Sequence, residues 1–337
     1  MRAHWVIIAL FPALLPGFQS RHPQSHQGRY GSATRLAPPP LDAGEIDQLD
    51  QQPIAQGDKG PGVVRAQILL ARAHFSCGQI DGNFGSNLQK AVGAFQHERH
   101  LQESGAVDQA TWAALNADTA PATTSYTITE DDEKGPFVQV PKNLMQAAKL
   151  PWLGYSSPLD ELGERFHASG ELLKQMNPAS DFTKAGQVLK VPNASVMPPG
   201  PAAQVVVSKS ESSVRAYDAS GNLLAFYVAT IGSVHDPLPL GEWKINGSKK
   251  DPKFEYNASL FWDAKNPSDR AMIPAGPRNP VGSVWIDLSK DHYGIHGTPD
   301  PALIGHATSH GCIRLTNWDA LELASMVKPG VPAILKE

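Results

Sequence analysis

Ile295-His296-Gly297-Thr298 and, close behind it, Ser309-His310-Gly311-Cys312-Ile313-Arg314-Leu315 bring one thiol and two imidazoles into a single short span of the chain. A cysteine attacks a carbonyl as its thiolate, and an unperturbed pKa of about 8.5 leaves it mostly protonated at neutral pH. A histidine within hydrogen-bond reach can remove that proton, which is what a cysteine acyl-transfer site requires. The neighbouring glycines let the backbone turn sharply and come close to a bound molecule.

Outward from this span the pattern is one of strands. Val205 to Val207, Val214 to Tyr217 and Leu223 to Ala229 read as strands, with Asp218-Ala219-Ser220-Gly221-Asn222 as a hairpin turn. Further short strands run to Ile286, and Val331 to Leu335 reads as a closing one. Trp318, Leu321, Ala324 and Val327 repeat every third residue behind Thr316-Asn317, which predicts a helix. The expected domain is mostly β and sandwich-like, with its chemistry near the C-terminal end. Met197-Pro198-Pro199-Gly200-Pro201 is a stiff break before it.

Upstream, about Ile54 to Asn116 reads as a helical bundle. Val64, Ile68, Ala71 and Phe75 recur at helical spacing, and Leu88, Ala91, Val92 and Phe95 form the inward face of a second helix. Ser86 with Gln89 predicts a capping box for that helix. Asp108 is placed to cap a third, with Val107 stapled on Trp112. Further on, Tyr126-Thr127-Ile128 alternates like a strand, and Leu159 to Phe166 and Glu171 to Met176 read as short helices. Asn177-Pro178 and a final strand at Gly186 to Pro192 follow, a strand–helix–helix–strand order.

Composition narrows the class. With 337 residues, 41% apolar and 18% charged, the chain has room for several globular domains. A formal charge of −4 and the lack of a basic stripe argue against a nucleic-acid partner. Arg2 followed by an apolar run from Trp5 to Leu15, too short to span a bilayer, predicts an export signal over residues 1–20. Residues 21–54, rich in Pro, Gln and Ser, read as a tether. Only Cys77 and Cys312 are present; Cys312 reads as a free working thiol and Cys77 as a small buried apolar residue.

Three resemblances extend this reading. Asp81-Gly82-Asn83-Phe84-Gly85 with Ala91-Val92-Gly93-Ala94-Phe95-Gln96 resembles the three-helix peptidoglycan-binding domain, which implies affinity for the cell wall. The β-α-α-β segment, with its Asn-Pro pair and Gly186-Gln187-Val188-Leu189-Lys190-Val191-Pro192, resembles a LysM glycan-binding module; it departs through a long insertion, roughly Asp131 to Ser156. From Gln204 to Lys336 the chain resembles the YkuD-type L,D-transpeptidase catalytic domain. The likeness lies in Gly276-Pro277-Arg278-Asn279-Pro280-Val281-Gly282, Tyr293 to Thr298 and Ser309 to Leu315. Leu238 stands where that family usually shows Thr. The expected boundaries are 55–118 for the helical domain, 124–194 for the LysM-like one and 203–336 for the catalytic one. Residues 55–194 are expected to serve targeting and to be dispensable for turnover on soluble substrates.

The catalytic resemblance implies Cys312 as nucleophile and His296 as general base, oriented by the Gly297 carbonyl as a carboxylate would in other triads. It implies His310 lining the pocket, and a loop of Ser309, Gly311 and Arg314. The Gly311 and Cys312 N–H groups are candidates for the oxyanion hole. Arg314 would either fix that loop or meet a substrate carboxylate. The implied reaction releases D-Ala from a peptidoglycan stem tetrapeptide, leaves a thioester, and transfers the stem to an amine. That transfer gives a 3→3 cross-link or attachment to an envelope lipoprotein; water as acceptor gives L,D-carboxypeptidase side activity. The implied setting is the periplasm or cell wall, and no cofactor or metal is called for.

Rival readings are weaker on chemistry. His292, His296, His306, His310 and Cys312 could ligate zinc, but no second Cys stands nearby and no His-Glu-x-x-His occurs. A papain-like peptidase places its cysteine before its histidine, the reverse of the order here. A catalytically idle anchoring protein has no chemical need for both Cys312 and His296. His292 and His306 read as ordinary loop residues.

Overall fold

The computed structural model describes residues 39–337, so the export signal expected at 1–20 and most of the tether expected at 21–54 lie outside the described residues. The described end of that stretch is not a tether. Helix α1 (Ala43–Asp47) is capped by Asp42 and buries Ile46 completely, because Ile46 finds an apolar partner surface that local composition does not reveal.

Helices α2 (Pro61–Arg72), α3 (Ser86–Glu98) and α4 (Gln109–Leu115) follow, with the two-residue strand β1 (Phe75–Ser76) between the first two. Helix α2 is buried nearly all round. Val63, Ala66, Leu69 and Leu70 join Phe84, Leu88, Val92, Phe95 and Trp112 in one core. Val64 and Ile68 face a second core, with Ile46, Ile80, Leu172 and Leu189. The helix ends before Phe75, since His74 adopts a positive φ of 64°. Phe75 therefore lies in β1 and not on the helical face its spacing predicts. It meets Phe95 edge-on at 5.4 Å and stacks on Phe226 at 6.4 Å. Asp108 caps α4 through the Thr111 N–H, and Val107 and Trp112 are buried together. The capping box expected at Ser86 is absent: Gly85 is the N-cap, so Ser86 is already helical and cannot cap.

Strands β2 (Thr123–Thr127) and β3 (Val188–Pro192) form an antiparallel pair, from Thr123 opposite Pro192 to Thr127 opposite Val188. Between them come α5 (Glu130–Lys134), α6 (Leu144–Ala147), α7 (Pro158–Arg165) and α8 (Gly170–Met176). Asn177 ties α8 to β3, donating to the Leu173 and Lys190 carbonyls and accepting from the Lys190 N–H. The long segment between α5 and α7 leaves this unit and docks elsewhere. Leu153 donates to the Ala275 carbonyl and accepts from the Arg278 N–H at 2.9 and 3.0 Å. Ala147 and Leu153 share a small core with Ile273.

The remaining strands are β4 (Gln204–Ser208), β5 (Ser213–Tyr217), β6 (Leu223–Val228), β7 (Thr230–Ile231), β8 (Gly241–Lys250), β9 (Phe254–Asn257), β10 (Arg270–Ile273), β11 (Val284–Leu288), β12 (Gly294–His296), β13 (Ile313–Arg314) and β14 (Pro332–Lys336). Ten strands pair in the order β1-β6-β5-β4-β14-β8-β11-β12-β13-β7, and β9–β10 form a separate hairpin. β1 joins β6 in parallel, Phe75 opposite Phe226, so the helical region contributes a strand to the catalytic sheet. Residues 55–194 are thus not an appendage that can be cut away without exposing core.

Helix α9 (Asn317–Met326) forms where the repeat predicts it and covers the sheet. Ala320, Leu323 and Met326 are buried, while Leu321, Ala324 and Val327 are only partly so. Thr316 caps the helix at the Asp319 N–H, and that phase turns Asp319 inward to accept from Ser76 Oγ at 2.9 Å. Trp318 instead stacks on the His167 ring at 4.9 Å.

Candidate active site

Strands β12 and β13 run parallel, with Ile295 opposite Ile313 and His296 opposite Arg314. This pairing sets the two sequence motifs side by side. Asn317 holds the surrounding loops: its Oδ1 accepts from the Ser283 and Thr298 N–H groups, and its Nδ2 donates to the Pro277 carbonyl. A Cβ at Gly297 or Gly282 would collide with that Oδ1.

His296 is 3% exposed, and its ring stacks on Trp285 at 5.4 Å. Nδ1 lies 2.7 Å from the Gly297 carbonyl, which can only accept, so Nδ1 carries the proton and Nε2 the lone pair. Burial, reinforced by the Arg314 charge, pushes the imidazole down to about 3, against the opposing pull of the Gly297 carbonyl. Cys312 is half-buried, and burial raises its thiol above the ordinary cysteine value; a backbone hydrogen bond from Gly294 and the Arg314 charge pull the other way. Both shifts favour an uncharged thiol beside an uncharged imidazole. The S–H donates to the His292 carbonyl at 3.7 Å, not to His296. His292, read as an ordinary loop residue, thus touches the thiol through its backbone, and its φ of 66° gives the loop its turn.

The loop before Cys312 is clamped. Ser309 Oγ donates to the Cys312 carbonyl at 2.6 Å, and the Ser309 N–H donates to the Gly232 carbonyl at 3.0 Å. Gly311 has φ 94°, and a Cβ there would stand 2.7 Å from the Tyr293 ring. His310 turns toward the loop joining β9 to β10. Its Nε2 is 3.0 Å from Asp263 Oδ1, and its ring meets Phe261 edge-on at 5.0 Å. Asp263, Phe261 and Trp285 carry no local motif; the β9–β10 connection and the strand register bring them in, while Asn317 reaches the loops from the start of α9.

Arg314 donates to the Thr308 carbonyl at 3.4 Å, while its Nε is sealed from solvent with no partner among the described residues. Burial lowers its pKa, partly offset by Cys312 and Asp300. It borders a cavity of about 710 Å³. Arg278, from the Gly-Pro-Arg-Asn-Pro motif, pairs with Asp160 and Glu164 of α7, donates to the Pro299 carbonyl and lies over the Tyr155 ring. Cys77 is buried and, like Cys312, free. Among the described residues no three His, Cys, Asp or Glu side chains group so as to share a metal ion.

Residues 202–335 match the family described as "L,D-transpeptidase catalytic domain" (YkuD), and residues 59–115 the family described as "Putative peptidoglycan binding domain". A Bacillus licheniformis protein named "Putative L,D-transpeptidase YkuD" is 32% identical over 177 residues, 51% of this chain and 89% of that relative. The chain belongs to the L,D-transpeptidase family. The Escherichia coli K12 protein named "Probable L,D-transpeptidase YbiS" is 27% identical over 183 residues, 52% of this chain and 59% of the relative. A crystal structure of the L,D-transpeptidase from Xylanimonas cellulosilytica aligns over 85% of this chain and 98% of its own, at 15% identity and a TM-score of 0.37. This L,D-transpeptidase therefore couples a family catalytic domain to a helical region that resembles a peptidoglycan-binding domain.

Proposed function

We propose that Cys312 is the nucleophile and His296 its general base. The thiol turns away from the His292 carbonyl, gives its proton to His296 Nε2, and attacks the carbonyl joining the L-centre of a stem diamino acid to terminal D-Ala. The Gly311 and Cys312 N–H groups hold the oxyanion. His296 returns the proton to the departing D-Ala amine, and the stem remains as a thioester. An amine of a second stem resolves it as a 3→3 cross-link; a lysine of an envelope lipoprotein or water are the alternative acceptors. His310, braced by Asp263, lines the pocket. The helical region and a LysM-like module over 124–194 hold the wall, and export to the periplasm or wall follows from that substrate.

The observation that carries this reading is the parallel β12–β13 pairing, which sets the thiol loop beside a buried, neutral imidazole with a free lone pair. Incubation of the purified chain with tetrapeptide muropeptides, followed by mass spectrometry, tests it. A cross-linked dimer with loss of D-Ala is expected, and His296→Ala should slow its formation by about 10²–10⁴-fold. Wild-type turnover in His296→Ala would refute the base assignment.

A further inference from the structure

Among the described residues, β9 and β10 pair only with each other, Phe254 opposite Ile273 at the base and Asn257 opposite Arg270 at the far end. A lone two-stranded hairpin is marginal in water, so whatever it packs against sets its position. At the base that partner is the insertion between α5 and α7. Ala147 and Leu153 are buried with Ile273, and Phe254, Tyr256 and Ala271 pack around them. Leu153 is bonded to Ala275 and Arg278 just past β10, and a Cβ at Gly276 would collide with the Leu153 backbone. At the far end the loop joining β9 to β10 reaches the thiol loop. The Phe261 ring lies 5.6 Å from that of Tyr256 and 5.0 Å from that of His310. Asp263 Oδ1 lies 3.0 Å from His310 Nε2.

We infer that the insertion is a positioning element for the reaction: by supporting the β9–β10 hairpin it holds Phe261 and Asp263 on His310, two residues before the nucleophile. The inference rests on the acyl-transfer reading above and deepens it. Without the apolar side chains of the insertion, the hairpin base loses the surface it is buried against, and its own short ladder cannot replace that burial. The loop at its far end then loses its hold on the ring. That hold has two parts. Phe261 fixes the tilt of the imidazole by edge-on contact. The Asp263 carboxylate can only accept, so it keeps the proton on Nε2 and leaves Nδ1 as the acceptor. An active-site group gives its full rate only while its supporting contacts lock it in place. The strand–helix–helix–strand region therefore contributes to turnover itself, even on a soluble substrate that offers no wall to bind.

The test is a double-mutant cycle in the full chain, read by kcat and KM for D-Ala release from a soluble tetrapeptide. Ala147→Asp puts a charge into the buried face under the hairpin, and Asp263→Asn weakens the bond at its far end. Each should lower kcat about tenfold, with KM within about twofold. Because both act through His310, the double variant should fall no further than the slower single one. A loss by partial unfolding would instead multiply with that of Asp263→Asn. Where Ala147→Asp does not fold, Phe261→Ala, which trims one ring from the loop, takes its place in the cycle with the same expectation. Unchanged kcat in the Ala147→Asp or Phe261→Ala arm, or losses that multiply in the double variant, would overturn the inference. A wild-type chain that forms no acyl-enzyme at Cys312 would remove the acyl-transfer reading beneath it.

Discussion

The two N-terminal regions attach to the catalytic domain by different physics. The helical region merges with it: β1 extends the sheet at Phe226, and Phe75, Phe95 and Phe226 form one aromatic cluster. The strand–helix–helix–strand region adds an ion-pair cluster to a small apolar contact at Ile273, with Arg278 held between Asp160 and Glu164 beneath Tyr155. Apolar burial is non-directional and buttresses the sheet broadly. A guanidinium between carboxylates is directional, and it fixes the Gly-Pro-Arg-Asn-Pro loop next to the catalytic turn. The first attachment gives stability; the second gives geometry.

Phe226→Ala should produce the largest effect on this contrast. Phe226 is 1% exposed and belongs to the core of the helical region, so truncation should cost about 3–5 kcal/mol. Urea denaturation should show one cooperative transition at a lower midpoint, because region and sheet share that core. Two separated transitions would break the comparison by making the helical region independent.

Arg278→Ala should cost somewhat less, about 3 kcal/mol, because it leaves the Glu164 carboxylate buried and unpaired. Unlike Phe226→Ala, it should also disturb catalysis, with a raised KM in enzyme that remains folded at low temperature. A stability loss without any kinetic change would reduce the charged attachment to simple glue.

The smallest effect sharpens the view of the site that both regions support. His296 must be neutral to act as a base, and its pKa is lowered to about 3, so acidification from pH 7 to pH 5 leaves it neutral. The rate of Cys312 acylation should change less than twofold through His296 over that range. A tenfold fall centred near pH 6.5, the ordinary imidazole value, would show an unshifted histidine.

What the sequence disclosed and what it withheld divide along local and long-range lines. The hairpin at Asp218 to Asn222, the closing strand and the Asp108 cap are legible because neighbouring residues determine them. Phe75 leaves the helical face its spacing predicts because His74 breaks the helix by a backbone conformation that hydrophobic spacing does not encode. Helix α9 is legible from its apolar repeat, whereas the inward turn of Asp319 to Ser76, far upstream, is not. In the site, Cys312 and His296 stand out by motif, whereas Asp263 and Trp285 enter only through strand register and a hairpin. The docking of residues 131–156 lies beyond local reading altogether, since Leu153 bonds to Ala275 and Arg278, more than a hundred residues away.

The central claim is that the sulfur of Cys312 carries the acyl group. Intact-protein mass measurement after mixing the full chain with a soluble stem tetrapeptide should find an adduct equal to the peptide less D-Ala. That adduct should map to Cys312 and vanish in Cys312→Ala. D-Ala release with no adduct at Cys312, or release undiminished in Cys312→Ala, would contradict the account.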